Sequence, residues 1–238
     1  MTGQHLFFDL DRTLWDFEKN SKIALTQLFH HHGLQHHIAN FHAFYGHYKL
    51  KNAQLWKEYG AGRLKKEVLR DERFRLTLNH FSINDEDLVK KISDGYVELS
   101  PQQTALFPNA IETLEYLKKE GYTMHIITNG FKEVQFIKLK NSGLIDFFDV
   151  IVCSEDVGHN KPNPAIFKHS LSKAAATSEK SVMIGDDYEV DVLGALNFGM
   201  KGILFDPFND FKSPVDGFKI KNLSELPALL PWVFKTNL

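Results

Sequence analysis

The stretch FFDLDRTLW, residues 7–15, decides how the chain is interpreted. It begins as a short apolar run that is typical of a buried strand, and it then places two carboxylates, Asp9 and Asp11, two positions apart. Alternate side chains of an extended chain point to the same side. Two like charges held so close repel, and each raises the pKa of the other unless a positive group lies between them. The pair therefore predicts a cation beside the end of the first strand.

Length and composition indicate an ordinary globular protein. The chain has 238 residues, of which 43% are hydrophobic and 24% charged, enough for one large domain with a sizeable insertion. Lys and Arg number 28 against 30 Asp and Glu, a balance that gives no basic footprint for nucleic acid or an anionic membrane. No apolar run is long enough to span a bilayer, and the first residues lack a signal-peptide pattern. The lone cysteine, Cys153, excludes an internal disulfide and favours a cytoplasmic location, whereas the oligomeric state cannot be inferred.

Apolar segments alternate with helical patterns after about residue 105. Strands are predicted at YTMHIIT, DVIVCS, SVMIG and GILFD, and helices over about 109–120, over about 132–143, in NPAIFKHSLSKA and in YEVDVLGALNFG. Asn163 is placed to cap its helix, with Pro164 at the first helical position. This alternation predicts a parallel sheet with helices on both faces.

The chain between the first strand and this region has a purely helical character. Leu25, Leu28 and Phe29 begin an apolar helix face, and charged amphipathic segments follow without a convincing strand. Because the first strand belongs with the later ones, the helical block is predicted to be an insertion. We expect a core of residues 1–15 and 105–238 and a helical unit of residues 16–104.

Polar residues of related chemistry follow four of the predicted strands. In open parallel sheets, ligands bind beyond the carboxyl ends of the strands, so we expect these residues to share one edge. They are Asp9 and Asp11 at the end of the first strand, Thr128 at the end of the second with Asn129 and Gly130 beyond it, Lys161 in the loop near the third, and Asp186, Asp187 and Asp191 after the fourth.

These residue types suit phosphate chemistry. A hard cation such as Mg²⁺ prefers oxygen ligands, which Asp9, Asp11 and Asp186 supply. Thr128 and the backbone N–H groups after it can cradle a phosphate, and Lys161 can neutralise it. An ionised aspartate can then attack phosphorus to form an acyl-phosphate. Asp11 is placed to protonate the leaving alcohol and afterwards to activate water.

The sequence also resembles a known family. The segments DLDRT, ITNG, NKPNPAIF and GDDYEVD resemble, in the same order, the four signature motifs of the haloacid dehalogenase superfamily. More narrowly, FFDLDRTLWDF, ITNGF, SEDVGHNKPNPAIF and GDDYEVDVLGALNFG resemble the noncanonical pyrimidine 5′-nucleotidase group. The resemblance implies an α/β fold, a Rossmann-like parallel sheet with helices on both faces, and a small helical cap inserted after strand one.

The resemblance also implies a role for each motif residue. Asp9 would be the nucleophile, Asp11 the acid/base, and Thr128 and Lys161 the phosphate contacts, joined by Asn129 and Gly130. The side chains of Asp9 and Asp186 and the carbonyl of Asp11 would ligate Mg²⁺. Asp191 would not touch the metal or the substrate itself and would instead orient Lys161 or a metal-bound water. Asp187 departs from the family pattern, either as a substitute or as an extra outer ligand.

The implied activity is Mg²⁺-dependent hydrolysis of a small phosphomonoester, with a nucleoside 5′-monophosphate as the expected substrate. A sugar-phosphate or phosphoglycolate phosphatase, a phosphomutase, a 2-haloacid dehalogenase and a non-catalytic phosphate-binding protein are the alternatives. Asp11 argues against the dehalogenase, because attack on carbon releases no alcohol that needs a proton. The presence of Asp9, Asp11 and Lys161 argues against a protein without turnover. Neither a nucleic acid polymer nor a membrane is an expected partner.

Two further features allow more than one interpretation. The aromatic residues Trp15, Phe17, Trp56 and Tyr59 could stack on a nucleobase, although such residues more often serve packing. The segment HHHGLQHH, residues 30–37, is either a transition-metal site or the polar end of a helix that stops at Gly33. No carboxylate or cysteine cluster accompanies these histidines, which favours the helix end.

Overall fold

The computed structural model of the protein describes residues 3–236. The chain divides into two compact units, the first formed by Met1–Phe17 and Thr104–Leu238 and the second by Glu18–Gln103. The first unit contains the strand segments and the second is helical. Their assignment as catalytic core and cap stays a prediction.

A six-stranded, fully parallel sheet forms the centre of the first unit, with the strand order β3-β2-β1-β4-β5-β6. The predicted parallel α/β architecture is therefore confirmed. β1 lies in the middle, where Phe8 is in register with Ile126 on one side and Ile184 on the other. The strands are β1 (His5–Phe8), β2 (Thr123–Thr128), β3 (Val150–Cys153), β4 (Ser181–Gly185), β5 (Lys201–Phe205) and β6 (Phe218–Ile220).

Nine α-helices are found within residues 3–236, and the first four belong largely or wholly to the second unit. None of the helices in this range combines the length and apolarity needed to cross a bilayer. The helices are α1 (Phe17–His31), α2 (Phe41–Gly60), α3 (Lys66–His80), α4 (Glu86–Leu99), α5 (Ala110–Lys119), α6 (Lys132–Asn141), α7 (Pro164–Lys173), α8 (Gly194–Phe198) and α9 (Leu226–Lys235).

The sheet is buried on both faces because its strands are apolar at nearly every position. Leu6 and Phe8 pack into a core that includes residues of α5, α6 and α9, whereas Phe7 between them packs with residues of α7 and α8. Alternate side chains of a strand point to opposite faces, so two separate cores result. The central position of β1 brings its carboxyl end between those of β2 and β4.

The second unit has its own apolar core. Leu25, Leu28 and Phe29 lie on the buried face of α1, as their spacing predicts, and the rings of Tyr48 and Phe74 stack at 5.4 Å. α1 ends at His31, and Gly33 adopts the left-handed conformation with φ 66°. The histidine-rich segment therefore follows a helix end, the interpretation favoured by the sequence.

Three features of the first unit differ from the sequence prediction. The segment YEVDVLGALNFG is not one α-helix: a wide π-helical turn, Tyr188–Leu193, precedes the short α8. The strand β6 was not predicted, since it has three residues at the edge of the sheet, where little burial leaves little pattern. Helix α9 was not predicted either, because Pro231 lies inside it and masks its apolar face.

Candidate active site

The carboxyl end of β1 carries a buried ion-pair cluster. Asp9 follows the last residue of the strand, and its backbone N–H donates to the carbonyl of Ile184 at 2.9 Å, which continues the pairing with β4. The Lys161 ammonium donates to Asp9 Oδ1 at 2.6 Å and lies 2.7 Å from Asp191 Oδ1. It also donates to the carbonyl of Ile127 at 2.7 Å. The lysine predicted from the third motif is thus fixed between two predicted carboxylates.

Asn129 holds the backbone of that lysine in place. Its Oδ1 accepts from the Lys161 N–H at 2.7 Å, and its Nδ2 donates to the Lys161 carbonyl at 3.1 Å. The side-chain amide predicted to touch substrate therefore has both ends engaged with the chain. A phosphate contact by Asn129 would use its backbone N–H.

The loop after β4 presents Asp191 to the cluster and leaves Asp187 outside it. Asp187 Oδ1 accepts from the Val190 N–H at 3.0 Å, so it caps the wide turn Tyr188–Leu193 and remains exposed. Asp191 Oδ2 accepts from the Asp187 N–H at 3.2 Å. A Cβ at Gly185 would lie 2.2 Å from Asp191 Oδ2, so glycine is required for this close approach. The extra aspartate of the fourth motif thus has a structural use as a helix cap.

Burial dominates the electrostatics of these carboxylates. It raises the pKa of Asp9 to about 7, although the charge of Lys161 opposes the shift. Burial, with the negative charges of Asp9 and Asp191, holds the pKa of Asp186 well above its usual range. Burial would lower the pKa of Lys161, but Asp191 and Asp9 outweigh it and raise that pKa instead. The Lys161 ammonium therefore does not offset the cost of ionising all the carboxyl groups of the cluster.

A divalent cation fits this imbalance. Among the described residues, Asp9, Asp186 and Asp191 form the one group of three side chains whose ligand atoms all lie within 4.8 Å of one another. The raised pKa values of Asp9 and Asp186 show that three carboxyl groups share this space without enough positive charge, and a divalent ion would supply that charge. Within residues 3–236, the Asp186 carboxylate accepts one protein hydrogen bond, from Thr13 Oγ1 at 3.4 Å, which leaves it free to serve as a ligand.

The Asp11 carboxylate is separate from this cluster and is held by helix α6. The Lys138 ammonium lies 2.6 Å from Asp11 Oδ1, and Gln135 Nε2 donates to Asp11 Oδ2 at 2.9 Å. Gln135 Nε2 also donates to Thr128 Oγ1 at 2.7 Å. Sequence reasoning missed both α6 residues. The sequence feature that could have indicated them is their spacing. Gln135 and Lys138 lie three residues apart, on the side of α6 that also carries the buried Leu139.

Thr128 and Gly130 lie at the turn between β2 and α6. Thr128 Oγ1 also accepts from the Gly130 N–H at 3.1 Å. A Cβ at Gly130 would lie 2.1 Å from Gln135 Nε2, so the glycine admits the glutamine side chain beneath the turn. The phosphate-cradling role predicted for Gly130 thus coincides with a packing requirement.

The four aromatic residues occupy different environments. Trp15 has no exposed surface and packs in the core of the first unit, with Lys138 Nζ 4.2 Å from its ring centroid. Its ring has no exposed face in this structure, which fits the packing interpretation, and its part in substrate binding stays a prediction. Phe17 is partly exposed, and the Arg12 guanidinium lies 4.7 Å from its ring centroid. Trp56 and Tyr59 contact each other edge to face on α2 of the second unit.

Comparison with known proteins identifies the class. Residues 6–205 match the model of the haloacid dehalogenase-like hydrolases. The pyrimidine 5′-nucleotidase PynA of Streptococcus pneumoniae is 31% identical over 87% of this chain and 85% of its own length. The pyrimidine 5′-nucleotidase YjjG of Escherichia coli is 30% identical over 84% of both chains. The chain therefore belongs to the haloacid dehalogenase-like hydrolases and is an enzyme of that family.

A solved structure agrees with this assignment. The HAD-hydrolase YfnB of Bacillus subtilis, in a crystal form bound to magnesium, superposes with a TM-score of 0.86 and 26% identity. The match covers 96% of this chain and 98% of YfnB. The likeness extends over both the sheet-containing and the helical unit.

Proposed function

We propose that the protein is a phosphomonoesterase that hydrolyses nucleoside 5′-monophosphates, with pyrimidine nucleotides preferred. The observation that carries the phosphatase part is the placement of two carboxylates, Asp9 and Asp11, at one strand end with different partners. Asp9 is bound to Lys161 inside the sheet edge, and Asp11 is bound to α6 beside it. Such separation suits a nucleophile and an acid/base that must act differently in one reaction.

The chemistry proceeds in two steps. An oxygen of the Asp9 carboxylate attacks phosphorus, the bond from phosphorus to the ester oxygen breaks, and Asp11 gives its proton to the departing alcohol. Water then attacks the phosphorus of the aspartyl-phosphate, Asp11 takes a proton from that water, and phosphate leaves as the Asp9 carboxylate is regenerated. Lys161 and the Thr128 hydroxyl would contact the phosphoryl oxygens throughout.

The excess negative charge of the cluster supports a divalent-cation cofactor, which we propose is Mg²⁺. Asp9 and Asp186 would hold it, with the carbonyl of Asp11 as the third protein ligand. Asp191, already bound to Lys161, would orient that lysine. The bound ion supplies positive charge against the negative charge that develops on the transferring phosphoryl group.

The substrate part rests on resemblance and on one surface feature. Two relatives named pyrimidine 5′-nucleotidase cover most of the chain. The Phe17 ring, with Arg12 over it, lies in the first unit a few residues after the proposed nucleophile. Stacking of a base on such a ring contributes ~1–3 kcal/mol, by analogy with single-stranded nucleic acid binding. That corresponds to a selectivity of roughly ten- to a hundredfold over a sugar phosphate. The lone cysteine supports a cytoplasmic setting for the reaction.

The test is a comparison of kcat/KM with Mg²⁺ present. Deoxyuridine and thymidine monophosphates are measured against a hexose 6-phosphate and phosphoglycolate, with the Asp9→Asn protein as the control for contaminating phosphatase. We expect the nucleotides to be preferred by at least about tenfold. A clear preference for a sugar phosphate contradicts the nucleotidase assignment and leaves the aspartate-based mechanism standing. Phosphate release by the Asp9→Asn protein at the wild-type rate contradicts the mechanism itself.

A sugar-phosphate phosphatase is the second candidate, and the burial of Trp15 favours it. One of the aromatic rings expected to bind a base has no exposed surface. A relative named glyceraldehyde 3-phosphate phosphatase, from Pyrococcus furiosus, is 30% identical over 98% of this chain and 93% of its own length. The same substrate panel, extended to glyceraldehyde 3-phosphate, separates the two candidates.

A further inference from the structure

Helix α6 directs two buried polar side chains at the proposed reaction groups. Gln135 has no exposed surface, and the side chain of Lys138 is 5% exposed. Long polar side chains are seldom buried to this degree unless they are paired. Both lie one helical turn apart on a face whose next residue, Leu139, enters the apolar core. Their burial therefore needs an explanation beyond packing.

Within residues 3–236, the Lys138 ammonium donates to one acceptor, Asp11 Oδ1. Its ammonium lies 2.6 Å from Asp11 Oδ1, and the ring of Trp15 lies 4.2 Å below it. The indole face and the apolar surroundings restrict where the ammonium can move. An ammonium fixed in this way also fixes the carboxylate that it contacts, since charge-assisted hydrogen bonds are short and strong.

Gln135 joins two groups of the site. One amide hydrogen of Nε2 is donated to Asp11 Oδ2 at 2.9 Å and the other to Thr128 Oγ1 at 2.7 Å. Thr128 Oγ1 also accepts from the Gly130 N–H, so both of its lone pairs are engaged. The Thr128 hydroxyl then keeps its own hydrogen for a further acceptor, and a phosphoryl oxygen could serve as that acceptor.

The other end of the Gln135 amide indicates that stability is not its purpose. Among the described residues, Gln135 Oε1 is buried with no hydrogen-bond partner. A buried acceptor without a partner destabilises the folded state. If the amide were rotated by 180°, Oε1 would take the place of Nε2 and face the Asp11 carboxylate, which has no hydrogen to donate. The chain thus retains a destabilising oxygen in order to keep the two donors where they are.

We propose that Gln135 and Lys138 are positioning residues of this enzyme: together they hold the Asp11 carboxylate in place, and Gln135 also orients the Thr128 hydroxyl toward the phosphoryl group. The inference rests on the phosphatase function proposed above. It assigns neither residue a contact with the substrate. Lys138 acts through Asp11 alone, whereas Gln135 acts through Asp11 and Thr128.

The two residues therefore predict different kinetic signatures. The test uses kcat/KM, which reports the phosphorylation half-reaction, for a nucleoside monophosphate and for p-nitrophenyl phosphate. Nitrophenolate leaves without a proton, so its release depends little on Asp11. Lys138→Met should lower kcat/KM for the nucleotide by about 10²-fold and much less for the nitrophenyl ester. Gln135→Leu should lower both, because Thr128 is released as well.

A double-mutant cycle with Asp11→Asn shows whether Lys138 acts through Asp11. In the Asp11→Asn background, Lys138→Met should cause no further loss, since the group it positions no longer functions. Lys138→Arg should restore most of the activity, and Lys140→Met, an exposed position on the same helix, serves as the control and should match the wild type. Gln135→Leu removes the unpaired oxygen and also the two hydrogen bonds to Asp11 and Thr128, so the rates with the two esters, and not the unfolding free energy, decide its role.

Each outcome decides one question. Equal losses for both esters in Lys138→Met, or losses that multiply with Asp11→Asn, overturn the positioning inference while the phosphatase function stands. Wild-type rates with both esters in Gln135→Leu overturn the part of the inference that concerns Gln135. Should Lys138→Met fail to fold, the ester comparison is made with Lys138→Gln, which removes the charge and keeps a polar side chain of similar length. A wild-type protein that hydrolyses no phosphomonoester with Mg²⁺ removes the proposed function, and the inference with it.

Discussion

The two ends of the parallel sheet bury ionisable groups in opposite ways. At the carboxyl end, Asp9, Asp191 and Lys161 are buried with their charges paired, and negative charge is in excess. Toward the amino end, His125 on β2 is 1% exposed and its Nε2 lies 3.0 Å from Nδ1 of His5 on β1. Burial, with the charge of His5, lowers the pKa of His125 to about 4. One end thus retains charge and the other excludes it.

The difference shows how a single sheet can have a reactive carboxyl end and a stable amino end. Charge is retained where it finds hydrogen-bond partners: Lys161 donates to the Asp9 carboxylate and to the Ile127 carbonyl, and the Asp191 carboxylate accepts from a backbone N–H. Where no such donors are available, the ring stays neutral and packs against Phe7 at 4.6 Å between ring centroids. The two ends should therefore respond in opposite directions to pH, to a cation and to loss of charge.

The largest effect is expected from Asp9→Asn. The substitution removes the proposed nucleophile and a metal ligand, so turnover should fall by about 10⁴-fold or more. Because burial already disfavours the charged form of Asp9, the free energy of unfolding should not fall. Turnover on a nucleotide and urea denaturation measure the two quantities. Loss of activity together with loss of stability would contradict the view that this end gives up stability for reactivity.

Lys161→Met should lower the stability of the protein, in contrast to Asp9→Asn. It leaves Asp9 and Asp191 buried without their cation, and removing one partner of a buried ion pair costs about 3–5 kcal/mol. The urea midpoint should fall accordingly. Lys168→Met, at an exposed position on α7, is the matched control and should leave the midpoint unchanged. A small effect in Lys161→Met would mean that the cluster tolerates its charges without the ammonium.

Acid should act on the amino end through His125. Its pKa is about 4 in the folded protein against 6.5 for the free side chain, so the unfolded chain binds the proton first. Its contribution to stability is complete above pH 6.5 and is lost as the pH falls toward 4, a change of about 3 kcal/mol. His125→Gln should flatten this part of the stability profile, whereas His37→Gln, at an exposed position, should not.

The carboxyl end opposes this trend. The folded-state pKa of Asp9, about 7, lies above its ordinary value of 3.8. Protonation of Asp9 therefore stabilises the fold as the pH falls from 7 toward 3.8, and this stabilisation is lost as the pH rises through 7. The two contributions partly cancel between pH 6.5 and 4. A bound cation would remove the Asp9 contribution, and the profile should then show the His125 slope alone. Identical profiles with and without Mg²⁺ would contradict the assignment of the cation to Asp9.

The smallest effect on stability is that of Mg²⁺ at neutral pH. An ion that binds only the folded state stabilises it by about 2.7 kcal/mol at a hundred times its dissociation constant. Unfolding monitored with Mg²⁺ and with a chelator measures the difference, and the chelator should also abolish turnover. In Asp186→Asn the stabilisation should disappear. Equal stabilisation of that variant would place the ion elsewhere.

Much of the fold follows from local patterns. The strands β1 to β5 are apolar runs bounded by turn residues, and the Asn163 side chain caps α7 as its spacing predicts, accepting from the Ala165 N–H at 2.9 Å. Parallel strands buried on both faces carry the strongest such signal. The edge strand β6 and the helix interrupted by Pro231 carry the weakest, and both were missed.

The site is predictable only in part, for a similar reason. The motif residues Asp9, Thr128, Lys161 and Asp191 follow predicted strands, and the sheet brings them to one edge. Which contacts they make depends on helix rotation and side-chain direction, which spacing along the chain does not define. Gln135 is one example, since a polar residue within an amphipathic helix is expected to face water. The burial of Trp15 is another, since an aromatic residue beside a motif can face the ligand or the core.

The wide turn Tyr188–Leu193 makes the length of this segment as important as its composition. A π-helical turn contains one residue more than the corresponding α-helical turn, and each residue of a helix advances by about 100°. Deleting Glu189, which is exposed, would let the segment rewind as an ordinary helix and rotate Asp191 away from Lys161. We expect such a deletion to retain helical circular dichroism and to lose turnover, whereas Glu189→Ala should retain both. In this protein, the activity should therefore be more sensitive to a one-residue deletion in this segment than to a substitution at the same position.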